Sequence, residues 1–130
     1  MKKISSLYVI DDDKIYHFLL KNLFKQNGID IVPTFFCNGH EAMEHIKINN
    51  TTDILPDLIL LDVNMPIMNG WQFLEEFIKF EESLAKKPII YMISSSNNDV
   101  DINKANEFNG AVKGYFLKPI CKEDLEKIFI

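Results

Sequence analysis

Four short segments of this sequence carry side chains that could do chemistry together if the fold brought them to one place. They are Asp11-Asp12-Asp13, Asp62, the run Ser94-Ser95-Ser96, and Lys118 followed by Pro119. Two or three carboxylates within a few ångströms of one another repel, which destabilises the empty cluster or raises its pKa values. A hard divalent cation relieves that repulsion, and carboxylates with a backbone carbonyl and waters suit octahedral Mg²⁺. Lys118 adds a positive charge that can pair with a carboxylate or with a phosphoryl oxygen. Ser94 offers a hydroxyl for a further phosphoryl oxygen. A carboxylate able to attack phosphorus, a metal, a lysine and a hydroxyl make a phosphoryl-transfer site that works by positioning and charge neutralisation.

These groups are up to a hundred residues apart in sequence, so the elements between them must do the gathering. LYVI (7–10) is a short apolar run ended by acids, and residues 14–26 follow with apolar positions Ile15, Phe18, Leu19 and Leu23 at helical spacing. Asn27-Gly28 is a helix stop. Residues 29–36 read as a strand whose Pro33 marks a sheet edge or an irregularity. Residues 40–49 read as a helix with Ala42, Met43 and Ile46 on one face. LILL (58–61) is an unbroken apolar run, expected of a strand covered on both faces.

Asn69-Gly70 is a turn into a helix bearing Trp71, Leu74, Phe77 and Ile78, with Trp71 expected in the core. IIYMI (89–93) reads as a second central strand and 98–109 as a more polar helix with Val100, Ala105 and Phe108. YFL (115–117) is a last strand, before a helix carrying Leu125, Ile128 and Phe129. Five strand-then-helix units in alternation predict a parallel sheet with helices on both faces. In such sheets sites form at the carboxyl ends of the strands, which is where all four chemical segments stand.

Composition narrows the classes. With 130 residues, 47% hydrophobic and 25% charged, the chain reads as one folded domain, 1–130, with no output domain. A net charge of −5 argues against nucleic acid as a partner, since phosphate neutralisation needs a basic face. All fourteen basic residues are lysine, so a bidentate arginine clamp is excluded. Cys37 and Cys121 lack metal-type spacing and are expected reduced. The apolar run after Met1-Lys2-Lys3 is too short for a signal peptide, and no stretch approaches a membrane span, so a cytoplasmic protein without membrane contact is expected.

In order and spacing, VIDDD, DVNMPIMNG, the strand ending in Ser94, and GYFLKP resemble the conserved blocks of the response-regulator receiver domains of two-component signalling. The resemblance covers nearly the whole chain. It implies a flavodoxin-like, doubly wound, five-stranded parallel sheet of order 2-1-3-4-5 with five helices; the receiver is a worked example of that order. It implies Asp62 as phosphoacceptor, Asp12 as direct Mg²⁺ ligand, Asp11 as ligand through water, and Asn64 as the residue whose backbone carbonyl binds the metal. Ser94 and Lys118 would contact the phosphoryl group, with Ser95 the competing hydroxyl. Tyr115 would be the switch aromatic and Pro119 would follow a cis peptide bond.

The function so implied is a switch and not an enzyme in its own right. A histidine kinase phosphorylates Asp62, and the surface formed by the fourth helix, fifth strand and last helix changes its affinity for a downstream target protein. A relay to a phosphotransfer protein is the alternative, as is a receiver-like module that binds without phosphorylation. A monomer is expected, with dimerisation through the same surface left open. A haloacid-dehalogenase-like phosphatase would need a second Asp two residues after Asp62, where this chain has Asn64. A flavin carrier would need a Ser/Thr/Gly-rich phosphate loop after the first strand. Asp13 is expected to cap the following helix. His17, His40 and His45 are expected on the surface or on helix faces, without a role in the chemistry.

Overall fold

A computed structural model of the chain describes residues 4–95, 99–108 and 110–129. Five strands, β1 (Leu7–Ile10), β2 (Thr34–Phe36), β3 (Leu58–Asp62), β4 (Ile89–Ser94) and β5 (Val112–Leu117), form one parallel sheet in the order β2-β1-β3-β4-β5. The helices are α1 (Lys14–Gln26), α2 (Gly39–Ile48), α3 (Gly70–Phe80), α4 (Asp99–Glu107) and α5 (Lys122–Phe129), with a 3₁₀ turn at Glu81–Ser83. The alternation predicted the parallel sheet with helices on both faces, and the strand order is the flavodoxin-like, doubly wound one that the receiver resemblance implies. No described helix is long and apolar enough to cross a membrane.

The two faces of the sheet follow from side-chain alternation along each strand. Leu7, Val9, Leu58, Leu60, Tyr91 and Ile93 point to the layer of α1 and α5, where they meet Tyr16, Leu20, Phe24, Leu125 and Ile128. Tyr8, Ile10, Ile59, Leu61, Ile90 and Met92 point the other way, onto Ala42, Met43, Ile46, Trp71, Phe73, Leu74 and Phe77 of α2 and α3, with Ala105 of α4. Because β3 is covered on both faces, all of Leu58–Leu61 is buried, which explains the unbroken apolar run. Each such side chain contributes about 1.5–3 kcal/mol of burial.

Several elements differ from the sequence expectation. The strand expected over 29–36 shrinks to three residues at the sheet edge. Pro33 cannot donate to a ladder, and Val32 beside it is exposed. On α1 the expected face is reversed. Tyr16, Leu20 and Phe24 are buried, whereas Ile15, Phe18 and Leu19 are 73%, 63% and 52% exposed.

The cap sets that phase. Asp13 accepts from the backbone N–H groups of Ile15 and Tyr16 at 3.0 and 3.2 Å and turns the i, i+4, i+8 stripe from Tyr16 inward. The helix then closes on Gly28 at φ 68°, with Ile29 N–H bonded to the Phe24 carbonyl at 2.9 Å.

In α4, Val100 is exposed and Ala105 is buried, and Phe108, just past the helix, stacks on Trp71 at 5.9 Å. Ile78 of α3 is also exposed. The expected helix ends Asn98 and Asn109, and Ser96 of the serine run, lie outside the described residues.

Opposite the carboxyl ends of the strands, Asp57 ties three segments together. Its carboxylate accepts from Ser5 N–H at 2.9 Å, Ser5 Oγ at 3.1 Å and Ser6 N–H at 3.2 Å, and pairs with Lys86 Nζ at 2.9 Å. Burial alone would raise its pKa, but these donors win and hold it down at about 2.

Candidate phosphoryl-transfer site

The backbone first explains why the acidic residues meet. Asp11 follows the last residue of β1 and is fixed at both ends: its N–H donates to the Phe36 carbonyl at 2.9 Å, and its Oδ1 accepts from Asp13 N–H at 2.9 Å. Asp62 closes β3, the neighbouring strand, in register with Ile93 of β4. Ser94 closes β4 beside Leu117, and its carbonyl accepts from Lys118 N–H at 2.9 Å. The Lys118–Pro119 peptide bond is cis. One sheet edge therefore carries Asp11, Asp12, Asp62, Ser94 and Lys118.

The loop after Asp62 is shaped by glycine and by strain. Gly70 N–H donates to the Val63 carbonyl at 2.8 Å, and a methyl group on Gly70 would run into the Asp62 carbonyl oxygen. Asn69 and Gln72 form a reciprocal capping box at the start of α3, with both bonds at 2.9 Å. Just before them Ile67 sits at φ 68°, with Met68 N–H bonded to the Pro66 carbonyl at 2.7 Å. That is a tight three-residue turn, which a β-branched residue rarely adopts. Asn64 lies exposed in this loop.

Among the charged groups, one carboxylate oxygen from each of Asp11, Asp12 and Asp62 falls within 4.8 Å of the others. Asp11 and Asp62 are buried and Asp12 is exposed. Lys118 Nζ lies 2.7 Å from Asp11 Oδ2 and 3.6 Å from Asp62 Oδ1, so the two buried carboxylates share one ammonium. Burial, then the charge of Asp11, pushes the Asp62 pKa up to about 7; Lys118 opposes the shift and Asp12 adds to it. Burial works against the charge on Lys118, yet the bond to Asp11 and the charges of Asp11, Asp62 and Asp13 leave its pKa raised.

The donor set fits a hard divalent cation. Carboxylate oxygens at this separation could be drawn onto one ion with bonds of roughly 2.1 Å by small side-chain shifts, and exposed Asp12 leaves room for waters. Asp11 already spends both oxygens, on Lys118 and on Asp13 N–H, whereas Asp12 opens to solvent.

Ser94 is fully buried and shares a hydrogen bond with the side chain of Tyr115 on β5. Burial raises the Tyr115 pKa, Ser94 pulls it back, and Asp101 and Asp62 raise it further.

Two contacts escaped the sequence reading. His17 is more than a helix-face residue: its Nε2 lies 2.6 Å from the Asp11 carbonyl oxygen, and its ring stacks on Phe35 at 4.3 Å. The ring of Tyr16 lies under the ammonium of Lys118, 4.6 Å from centroid to Nζ. Aromatic residues one turn after an acidic triplet are the only sequence signal either leaves. Cys37 and Cys121 are both unpaired; Cys121 Sγ donates to Asp124 Oδ2 at 3.3 Å.

Comparison with known proteins places this fold in a family. A family model for the response regulator receiver domain matches residues 7–130. The two-component response regulator from Cytophaga hutchinsonii has the same fold, with a TM-score of 0.86 and 28% identity over 98% of this chain and 96% of that one. Protein PilG of Pseudomonas aeruginosa is 31% identical over 90% of this chain and 78% of its own length. The nitrate/nitrite response regulator protein NarL of Escherichia coli (strain K12) is 32% identical over 95% of this chain, which spans 52% of that protein.

Proposed function

The chain belongs to the response regulator receiver family of two-component signalling, and from that premise we propose that it is a switch thrown by phosphorylation of Asp62. One observation carries the proposal: a buried carboxylate at a strand end, 3.6 Å from Lys118 and grouped with Asp11 and Asp12. A buried carboxylate with two acidic neighbours is costly to ionise, and it is the group that gains most when a cation arrives.

The donor is a phosphohistidine of a histidine kinase. Ionised Asp62 attacks phosphorus through a carboxylate oxygen, the bond from phosphorus to the imidazole nitrogen breaks, and the released imidazole takes a proton from water. Mg²⁺ held by Asp12, Asp62 and the Asn64 backbone carbonyl, with Asp11 acting through water, would neutralise charge on the phosphoryl oxygens. Lys118 pivots from Asp11 to a phosphoryl oxygen, and Ser94 turns its hydroxyl to another. Because Ser94 shares its hydrogen bond with Tyr115, that turn alters how Tyr115 sits on the face formed by α4, β5 and α5. The phosphorylated form then binds a downstream target protein, or passes the phosphoryl group on to a phosphotransfer histidine.

The test is intact mass after incubation with acetyl phosphate, with and without Mg²⁺. The wild-type chain is expected to gain one phosphoryl group only with Mg²⁺, and Asp62→Ala to gain none while remaining folded. An equal gain in Asp62→Ala would contradict the assignment.

A further inference from the structure

Carboxylates are not the only partners of Lys118. Its Nζ sits 4.6 Å from the centre of the Tyr16 ring, 2.7 Å from Asp11 Oδ2 and 3.6 Å from Asp62 Oδ1. Tyr16 lies in the first turn of α1, is only 6% exposed, and has no part in the chemistry described above. Its hydroxyl faces the backbone of Ile120 and completes no hydrogen bond among the described residues. A buried hydroxyl left without a partner costs stability, and phenylalanine would fill the same space without it. The feature of Tyr16 that meets the site is its aromatic face.

The contacts form a closed circuit. Asp11 Oδ1 accepts from Asp13 N–H, Asp13 Oδ1 accepts from Tyr16 N–H, the Tyr16 ring meets Lys118 Nζ, and Lys118 Nζ returns to Asp11 Oδ2. The ring is thus built from the same helix cap that orients the acidic residues.

We propose that Tyr16 is a positioning residue for the phosphorylation site, its ring face seating the Lys118 ammonium as that ammonium passes from Asp11 to the phosphoryl group. The proposal rests on the reading of Asp62 as phosphoacceptor. A bond to a carboxylate is directional and is lost when the lysine swings away. The attraction of a cation to a ring face is broad, so it holds in both positions. Lys118 therefore stays in the pocket between its two anionic partners instead of straying into solvent.

The test compares Tyr16→Phe with Tyr16→Leu. Two quantities are read: the rate constant of phosphorylation by acetyl phosphate with Mg²⁺, and the NMR shift of the Lys118 ε-methylene, which a ring face moves upfield. Tyr16→Phe is expected to keep both at wild-type values and to melt no lower than wild type. Tyr16→Leu is expected to lose the upfield shift and to react about 3- to 30-fold more slowly, the range that a partly desolvated cation–ring contact allows. Should Tyr16→Leu fail to fold, Tyr16→Met supplies the same comparison.

A wild-type rate in the folded aliphatic variant would overturn the proposal, as would a Tyr16→Phe rate as slow as that of Tyr16→Leu. If wild-type protein takes no phosphoryl group, the assignment of Asp62 fails instead. The methylene shift then decides the seating by itself, and its absence in wild type refutes it.

Discussion

Replacing Asp62 by Asn is expected to stabilise the metal-free protein at neutral pH and to change little near pH 4. Three carboxylates and one ammonium share the pocket, and Asp62 is the member whose ionisation the fold resists. Its carboxyl gives up the proton at about 7 when folded, against an ordinary value of 3.8. The folded chain therefore holds a proton that the unfolded chain has already lost, and wild-type stability falls as pH rises from about 4 to about 7. Roughly three pKa units at 1.36 kcal/mol each set a ceiling of about 4 kcal/mol.

Coupling to Asp11 and the polar amide of Asn reduce this, so a gain of about 2–3 kcal/mol at pH 8 is expected. Lys118 keeps its 2.7 Å partner Asp11 in the variant, so no buried cation is stranded. Urea denaturation in chelator at pH 4.5, 6, 7 and 8 reads the difference directly. Mg²⁺ is expected to raise the melting temperature of wild type and to narrow its gap to Asp62→Asn. A difference that does not depend on pH, or a destabilised variant at pH 8, would refute the reasoning.

Other substitutions probe the frame around the site. Asp57→Asn is expected to cost about 2 kcal/mol at pH 7, from a carboxyl held at about 2 by Lys86 and Ser5. Wild type loses that contribution as pH falls from about 4 through 2, so the two urea midpoints should converge in acid, while phosphorylation at pH 7 is unaffected. Gly70→Ala drives a methyl into the Asp62 carbonyl and is expected to cost about 1–3 kcal/mol and to slow phosphorylation by acetyl phosphate; denaturant titration and intact mass check the two effects. Ile67→Gly relieves a β-branched residue at φ 68° that buries little, and a gain of about 0.5–1 kcal/mol in urea is expected.

What was legible in the sequence is what a single strand or a single strand end declares. LILL before Asp62 announces a strand buried on both faces, and the acidic triplet, the serine run and Lys118-Pro119 each stand where a parallel strand stops. Strict alternation gave the parallel sheet and the receiver resemblance its strand order, and that topology brings residues a hundred positions apart to one edge.

The phase of α1 was not legible. Ile15, Phe18 and Leu19 repeat at helical spacing as convincingly as Tyr16, Leu20 and Phe24, and only the Asp13 cap decides which stripe turns inward. The length of β2 was hidden because an apolar run at a sheet edge looks like one in the middle until Pro33 is placed. The contacts of Tyr16 with Lys118 and of Asp57 with Lys86 join elements far apart in sequence. Spacing within one segment cannot report them.

The most direct test of the central claim is the identity of the phosphorylated residue. After phosphorylation with acetyl phosphate and Mg²⁺, borohydride reduction converts an aspartyl phosphate to homoserine, and peptide mass spectrometry locates it. The account predicts a single conversion, at position 62, that disappears when Mg²⁺ is withheld. Conversion at position 11 or 12, or a phosphoryl group that resists reduction and maps to Ser94, would contradict it.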